Sequence, residues 1–229
     1  MELKNTLTHI SKRLFYTMAF LLLLIANESA QAQVLGKANP TKKAKFLPKI
    51  YAGVKFGANF SYLSGKDWSN GVKSNMLGGG FAGIRGLGFG VQAEGLFEQS
   101  EYTSGSNFYN LYHNYYNDIS DSLKKGTFRV NKLCLPLLLQ FRVARLFWVQ
   151  TGVQFYGIVS VRDYNELVKD AKQLFRSGNT AGLLGVTMRI GNADLGGRMI
   201  FDFKNLNNVN TPDVWKQYMM QFHVGVKLF

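Results

Sequence analysis

The chain has 229 residues, enough for one domain with a sizeable core. It carries 27 basic and 14 acidic residues and a single cysteine, Cys134, so no intramolecular disulfide can form and backbone pairing and packing must hold the fold. The basic excess suits nucleic acid or an anionic membrane surface. The export signal described next argues against nucleic acid.

The N-terminus has the pattern of a secretory signal peptide. A basic stretch precedes an apolar run over 14–26, and Ala30 and Ala32 fill the small-residue positions of a cleavage site. We therefore expect 1–32 to be removed, leaving Gln33 first. An uncleaved anchor is the alternative, although the apolar run is short for a helical span, which needs about 20 residues.

Residues 33–49 follow the predicted signal peptide and show no sustained periodicity. They contain five lysines and two prolines. This composition predicts a flexible basic periplasmic tail, with contact to anionic lipid as the alternative role. The barrel domain is then expected over 50–229.

From Tyr51 onward, apolar and polar residues alternate with a period of two. In the first such segment Val54 and Phe56 share one face, whereas Lys55 and Asn59 share the other. The segments are about 10–14 residues long, which exceeds the usual strand and suits a tilted membrane strand with extensions. The predicted strands are 50–62, 74–85, 88–101, 127–142, 146–160, 179–190, 193–205 and 215–228.

Short and long connections alternate between these strands. Turns are expected near 86–88, 143–146 and 191–193, and loops near 63–73, 102–126, 161–178 and 205–214. Short periplasmic turns and long outer loops are typical of outer-membrane barrels. Aromatic residues at the strand ends indicate membrane interfaces; they are Tyr62, Phe89, Phe141, Phe147, Phe203, Trp215 and Tyr218. The prediction is an all-β fold, an eight-stranded antiparallel up-and-down transmembrane β-barrel; a soluble β-sandwich is the alternative.

The interior of an eight-stranded barrel is just wide enough to be filled by side chains. The inward positions include charges of both signs, which predicts an internal network of ion pairs and hydrogen bonds. Its candidate members are Lys55, Glu94, Glu98, Lys132, Arg142, Arg189, Arg198, Asp202 and Lys204. Together with Trp148, Gln150 and Gln154, such a network predicts negligible ion conduction.

Five segments resemble a known family. They are AGVKFGANFSYL at 52–63, VNKLCLPLLLQFRVARLFWVQTGVQFYGIVS, AGLLGVTMRIG, DLGGRMIFDFKNLNN and the closing MQFHVGVKLF. Together they are similar to the PorT-type outer-membrane β-barrel family of Bacteroidota, and the likeness covers roughly 50–229. The resemblance implies an eight-stranded barrel in the cell outer membrane, inserted by the outer-membrane assembly machinery.

The resemblance also implies an insertion signal in the last strand, formed by Phe222, Val224, Val226, Leu228 and Phe229. Phe229 departs from the usual pattern, because Leu228 continues the outward apolar register and Phe229 falls on the polar face. One family member takes part in secretion of adhesins and proteases. Secretion or envelope proteins are therefore the partners that the resemblance implies, beside outer-membrane lipid.

Sequence motifs for catalysis are weak. The 78–83 segment matches G-x-G-x-x-G, but a turn and another strand follow where a dinucleotide site needs a helix. His113 and His223 cannot be assembled with a serine and a carboxylate into a catalytic trio, and Cys134 is expected to be a small buried residue. We predict no cofactor, no metal and no enzyme activity.

The long loop over 102–126 is rich in aromatic residues. Tyrosine gives large contact area at low entropic cost, which suits partner contact. The candidate contact residues are Phe108, Tyr109, Tyr112, Tyr115 and Tyr116. The alternative is that these rings pack on the barrel rim.

The loop over 161–178 has helical features. Asp163 with Glu166 forms a capping pattern, and an apolar stripe follows at helical spacing; its members are Leu167, Val168, Ala171, Leu174 and Phe175. A loop helix is therefore predicted near 163–177, covering the barrel mouth or, alternatively, binding a partner.

The function predicted from these features is a structural or interaction role. The chain is expected to act as a monomeric outer-membrane barrel that presents extracellular loops, as an accessory in protein secretion or envelope assembly. A small-solute porin or transporter is the alternative, and a lipid-acting barrel enzyme is a more remote one.

Overall fold

The structure is a computed structural model that describes residues 48–69, 71–86, 88–105, 108–115, 125–166, 168–209 and 212–229. The predicted signal peptide and 33–47 of the predicted tail lie outside the described residues. Eight antiparallel strands pair in chain order, and the last pairs with the first, so the sheet closes into a barrel. The predicted fold class is confirmed, and the β-sandwich is excluded.

The strands lie close to their predicted positions. They are β1 Lys49–Ser64, β2 Lys73–Arg85, β3 Phe89–Thr103, β4 Thr127–Arg142, β5 Phe147–Asp163, β6 Gly178–Ile190, β7 Ala193–Asp202 and β8 Lys216–Lys227. The glycine-rich second segment is a true strand, paired along its length with β1. Short connections after β2, β4 and β6 lie at the end of the barrel that carries both ends of the described domain, and the long loops lie at the other end.

The strands are staggered around the barrel. One row of pairing partners starts where the Leu228 backbone N–H donates to the Ala52 carbonyl. It continues through Ala82, Ala93, Leu137, Val153, Gly182 and Phe201, and returns to β8 at Tyr218, ten positions before Leu228. Closure with such a stagger requires strands tilted by about 35–45° from the barrel axis.

The two faces of the wall have opposite polarity. Along β8 every second residue is buried: Gln221 and His223 point inward, while Phe222 and Val224 are about half exposed on the outside. From Tyr218 to the chain end, the outward residues of β8 span about 25 Å at roughly 3.3 Å per residue and a tilt of about 40°. This equals the apolar band of membrane barrels, about 25 Å tall.

Among the residues that the structure describes, helical structure lies in the long loops. A short helix α1 (Phe108–Tyr112) is followed by a 3-10 turn (His113–Tyr115), and a second 3-10 turn is Ala171–Leu174. Within the described part of the chain, no helix has the length and apolar character needed to cross a membrane.

The predicted loop helix near 163–177 is wrong. Strand β5 continues to Asp163, whose carboxylate accepts from the backbone N–H groups of Asn165 and Val168 at 3.0 and 3.1 Å. Glu166 has φ 52°, in the left-handed region, which is incompatible with a continuing α-helix. The capping residue therefore closes a turn. Leu167 of the predicted stripe lies outside the described residues, but its other members, Val168, Ala171, Leu174 and Phe175, are buried.

Candidate functional site

The centre of the lumen is organised around Glu94. Its carboxylate contacts the Lys55 ammonium, and it accepts from Arg198 Nη1 at 2.7 Å and from Gln92 Nε2 at 2.6 Å. The side chains of Lys55, Glu94 and Arg198 are almost fully shielded from solvent. A buried charge is tolerated only when it is paired and hydrogen-bonded, so these three side chains must stay in contact. Since they lie on β1, β3 and β7, their contacts crosslink these strands through the middle of the barrel.

Glu98 extends this central group toward the outer loops. It accepts from Gln221 Nε2 at 2.8 Å and from Gln154 Nε2 at 3.3 Å. Gln221 in turn accepts from Arg198 Nε at 2.5 Å. The neutral amides therefore link carboxylates and guanidinium into one connected network across the lumen.

A second group lies nearer the long loops, around Lys132. Its ammonium donates to Gln217 and lies 3.4 Å from the Tyr102 hydroxyl. It also lies 5.0 Å from the ring centre of Tyr156, whose hydroxyl donates to Asp202 at 2.7 Å. Lys132 is fully buried, and its charge is balanced by polar oxygens and aromatic faces.

A third group closes the end with short turns. Asp194 accepts from Lys227 Nζ at 2.6 Å and lies 3.5 Å from Arg189 Nε. The Arg189 guanidinium also stacks 4.2 Å from the Trp148 ring centre and donates to Gln140 at 2.5 Å. Charges, amides and rings thus fill the lumen at this end too.

The structure places seven of the predicted charged residues inside the lumen; they are Lys55, Glu94, Glu98, Lys132, Arg189, Arg198 and Asp202. Two predictions are corrected. Arg142 is exposed because the end of β4 extends beyond the lumen, and its Nε donates to the Ala144 carbonyl. Lys204 is exposed, because β7 ends at Asp202 and the alternation stops.

The sequence did not predict the full contribution of Asp194, Lys227, Gln217 and Gln221 to these groups. Each lies at an inward position, which the alternation shows. Their partners are on other strands, however, and depend on the stagger between strands. A cavity between the first and third groups measures only about 10 Å³, about the space of one water molecule.

Aromatic rings seal the other end of the barrel. We call this group the mouth cluster: Trp68, Tyr102, Phe108, Tyr112, Phe128, Phe175 and Trp215, all buried. Trp68 lies at its centre, with ring centres 5.0 Å from Trp215 and 5.1 Å from Phe108 in edge-on geometry. Such tilted aromatic pairs are favourable beyond their buried area.

Polar contacts fix the mouth cluster in place. Asp213 accepts from Trp215 Nε1 at 2.9 Å and from the Lys66 backbone N–H at 3.3 Å. At Gly65 a Cβ would lie 2.7 Å from the Trp68 ring and 2.8 Å from the Trp215 ring, so the first loop needs glycine there to approach the cluster. Burial raises the pKa of Asp67, and repulsion from the Asp213 carboxylate raises it further.

The mouth cluster corrects two predictions. Trp215 was expected at a membrane interface and is instead buried in the mouth, because it precedes β8. Phe108 and Tyr112 were candidate partner contacts and are also buried there, as in the alternative that the rings pack on the rim. Tyr109 and Tyr115 are half-buried against the cluster. Tyr116 and the side chain of His113 lie outside the described residues.

The outer face is a belt of large apolar side chains. Val153 and Phe201 are 36% and 41% exposed, whereas Gln154 and Arg198 face the lumen. The predicted insertion-signal residues Phe222, Val224 and Val226 point outward, and Leu228 and Phe229 are exposed beyond the end of β8. Apolar outside and polar inside is the arrangement of a barrel that spans a bilayer.

No arrangement for metal binding is found within the described ranges. They contain no group of three His, Cys, Asp or Glu side chains placed to hold a metal ion. Cys134 on β4 and His223 on β8 are both buried, and both point into the barrel. What the site does physically is to fill the lumen and close both its ends.

Comparisons with known proteins find solved structures of low similarity. No family model matches the chain, and no curated protein matches it. Ail of Yersinia pestis, solved with the heparin analogue sucrose octasulfate, is 10% identical with a TM-score of 0.42, covering 79% of this chain and 99% of Ail. Neisserial surface protein A is 13% identical (TM-score 0.41; 80% and 99% covered). The outer membrane protein OprG of Pseudomonas aeruginosa is 12% identical (TM-score 0.42; 78% and 95% covered). Similarities this low carry no argument about this chain.

Proposed function

We propose that the chain is a sealed β-barrel of a bacterial outer membrane with a structural or interaction role. The observation that carries this proposal is the polarity of the barrel wall, which has an apolar belt on its outer face and a connected ionic network on its inner face. Buried charges placed on many strands lock the barrel as one unit. An eight-stranded barrel with a filled lumen suits anchoring and presentation better than passage of solutes.

The orientation follows from the connections. Short turns after β2, β4 and β6 suit the periplasmic side, and the long loops suit the cell exterior. Among the described residues, the long loops turn most of their aromatic side chains inward against the mouth cluster, whereas Tyr164 is exposed on their outer surface. Exposed lysines such as Lys172 and Lys216 lie on this surface.

The finer assignment is to the PorT-type family of Bacteroidota, with an accessory role in protein secretion or envelope assembly. It rests on the sequence resemblance over 50–229 and on the signal-peptide pattern. In this role the chain is a monomer without enzyme activity. It is inserted by the outer-membrane assembly machinery through the end of β8, and secretion or envelope proteins meet its outer loops. The porin alternative has less support, because charged and aromatic side chains occupy the lumen along its length.

Membrane-impermeant labelling of single cysteines in intact cells tests location and orientation. The background is Cys134→Ser, and the two positions are Lys172→Cys in an outer loop and Arg145→Cys in a short turn, both exposed. We expect labelling at 172 in intact cells, and at 145 only after the outer membrane is opened. Labelling of intact cells at 145 alone would show that the orientation is the reverse of the one proposed. Recovery of both variants in the soluble cell fraction would contradict the membrane location.

A further inference from the structure

A furrow crosses the outer wall diagonally from β2 to β6, with Lys204, just after β7, at one end, and it has a volume of about 840 Å³. Its floor is one row of pairing partners: Gly79, Leu96, Cys134, Tyr156 and Asn179. These residues point into the barrel, so only their backbone faces outward. Five strands with neighbours about 4.8 Å apart make this wall furrow roughly 19 Å long.

Four outward-facing glycines leave gaps in the banks of the wall furrow; they are Gly78, Gly95, Gly157 and Gly178. A Cβ at each of them would meet nothing closer than 3.4 Å, and at Gly95 nothing within 4 Å. At Gly79 in the floor, by contrast, a Cβ would lie 2.1 Å from the Gly95 carbonyl oxygen. Packing therefore requires glycine in the floor but not on the banks. Since glycine inside a strand is destabilising by roughly 0.5–1 kcal/mol relative to alanine, the open banks need another explanation.

The wall furrow is apolar along its length and cationic at one end. Phe97, Leu133 and Phe155 flank it within the apolar belt. Lys204 lies at its upper end, where its carbonyl accepts from Asn179 Nδ2 at 3.1 Å. Among the residues that the structure describes, Lys204 takes part in no ion pair. With strands tilted by about 40°, the wall furrow climbs roughly 12 Å toward the outer loops.

We propose that the wall furrow binds one acyl chain of a lipid from the extracellular leaflet, with the anionic phosphate of its headgroup against Lys204. This inference rests on the membrane location in the proposed function. The two banks are two residues apart along each strand, about 7 Å, which is narrower than an α-helix of 10–12 Å with its side chains. The width therefore suits a hydrocarbon chain better than a partner helix, and the single lysine supplies the charge complement of a phosphate.

Native mass spectrometry of the protein released from nanodiscs tests this proposal. The nanodiscs contain phosphatidylcholine with a minor fraction of phosphatidylglycerol as the anionic probe. We expect one retained phosphatidylglycerol per wild-type chain. Gly95→Leu introduces a side chain where a Cβ would meet nothing within 4 Å, so it should fill the wall furrow and reduce retention to background. Lys204→Gln should weaken retention about fivefold, the effect of one cation near an anionic headgroup.

Two matched variants outside the wall furrow serve as controls. Gly197 faces outward on β7, and a Cβ there would lie 3.5 Å from Phe222, so Gly197→Leu makes the same change elsewhere on the wall. Lys216 is an exposed lysine at the start of β8, so Lys216→Gln makes the same charge change. Both should retain lipid as the wild type does.

The outcomes separate this proposal from the proposed function. Insertion into the nanodisc is scored first, and a wild-type chain that does not insert contradicts both. Insertion without retained lipid, equal retention in Gly95→Leu and the wild type, or equal loss in Gly197→Leu overturns the lipid site alone. Retention of phosphatidylcholine and phosphatidylglycerol in proportion to their abundance overturns the role of Lys204.

Discussion

Replacing Glu94 with glutamine should strongly destabilise the barrel. Glu94 contacts both Lys55 and Arg198, and all three side chains are buried. Glutamine preserves the shape but removes the charge that compensates two cations. Removing one partner of a buried pair costs about 3–5 kcal/mol, because the remaining charge is left without a partner. Arg198 keeps Glu98 at 4.0 Å, so we expect a loss of about 4 kcal/mol in the free energy of unfolding.

The same substitution at Glu101 provides the control. Glu101 lies on the same strand, but on the outer face, with Arg129 at 3.4 Å and Lys73 at 3.8 Å. Partly exposed pairs of this kind contribute about 0–1 kcal/mol, so Glu101→Gln should be nearly silent. Urea unfolding from lipid vesicles, followed by tryptophan fluorescence, measures both variants.

A double variant isolates the charge effect from general damage. Lys55→Met combined with Glu94→Gln removes one of the two uncompensated cations, so it should recover part of the stability that Glu94→Gln loses. If Glu94→Gln costs no more than Glu101→Gln, or if the double variant is the sum of the singles, the lumen network does not stabilise the barrel and this reasoning fails.

Three further predictions concern the wall and the mouth. Val153→Lys places a charge on the outer belt and should cost about 2–4 kcal/mol, whereas Gln154→Lys faces the lumen and should be milder; the temperature of the gel-mobility shift compares them. Trp215→Ala should cost about 3–5 kcal/mol and expose the mouth to protease, and unchanged cleavage would contradict the sealed mouth. Because the pKa of Asp67 is raised in the folded protein, its protonated carboxyl contributes to the free energy of unfolding. This contribution is complete below the ordinary pKa of aspartate and is lost as pH rises through the raised pKa. Asp67→Asn should therefore flatten the dependence of melting temperature on pH in the acidic range.

Period-two alternation predicted the strands because it reports directly which residues face inward. The same signal placed Lys55, Glu94 and Arg198 in the lumen. It failed where the strand and the lumen differ in length, as at Arg142 and Lys204. The capping pattern at Asp163 also gave a wrong prediction, because the same pattern occurs in a turn as well as in a helix. The left-handed backbone of Glu166 makes it a turn here.

The wall furrow and the mouth cluster could not be predicted locally. Gly95 and Gly157 lie far apart in sequence, and only the stagger of β3, β4 and β5 brings them onto one furrow. Trp68 and Trp215 meet because the first and last strands pair to close the barrel. Register between strands is a property of the whole closed sheet, which a single strand does not encode.

The central claim is that the polar face of the wall is inside and the apolar face meets lipid. Spin labels placed one at a time along β8, from Gln217 to Val226 in reconstituted vesicles, test it through collision with oxygen, which concentrates in lipid. We expect high collision rates at 218, 220, 222, 224 and 226 and low rates at 217, 219, 221, 223 and 225. A profile without a period of two, or one with the two sets exchanged, would contradict the account.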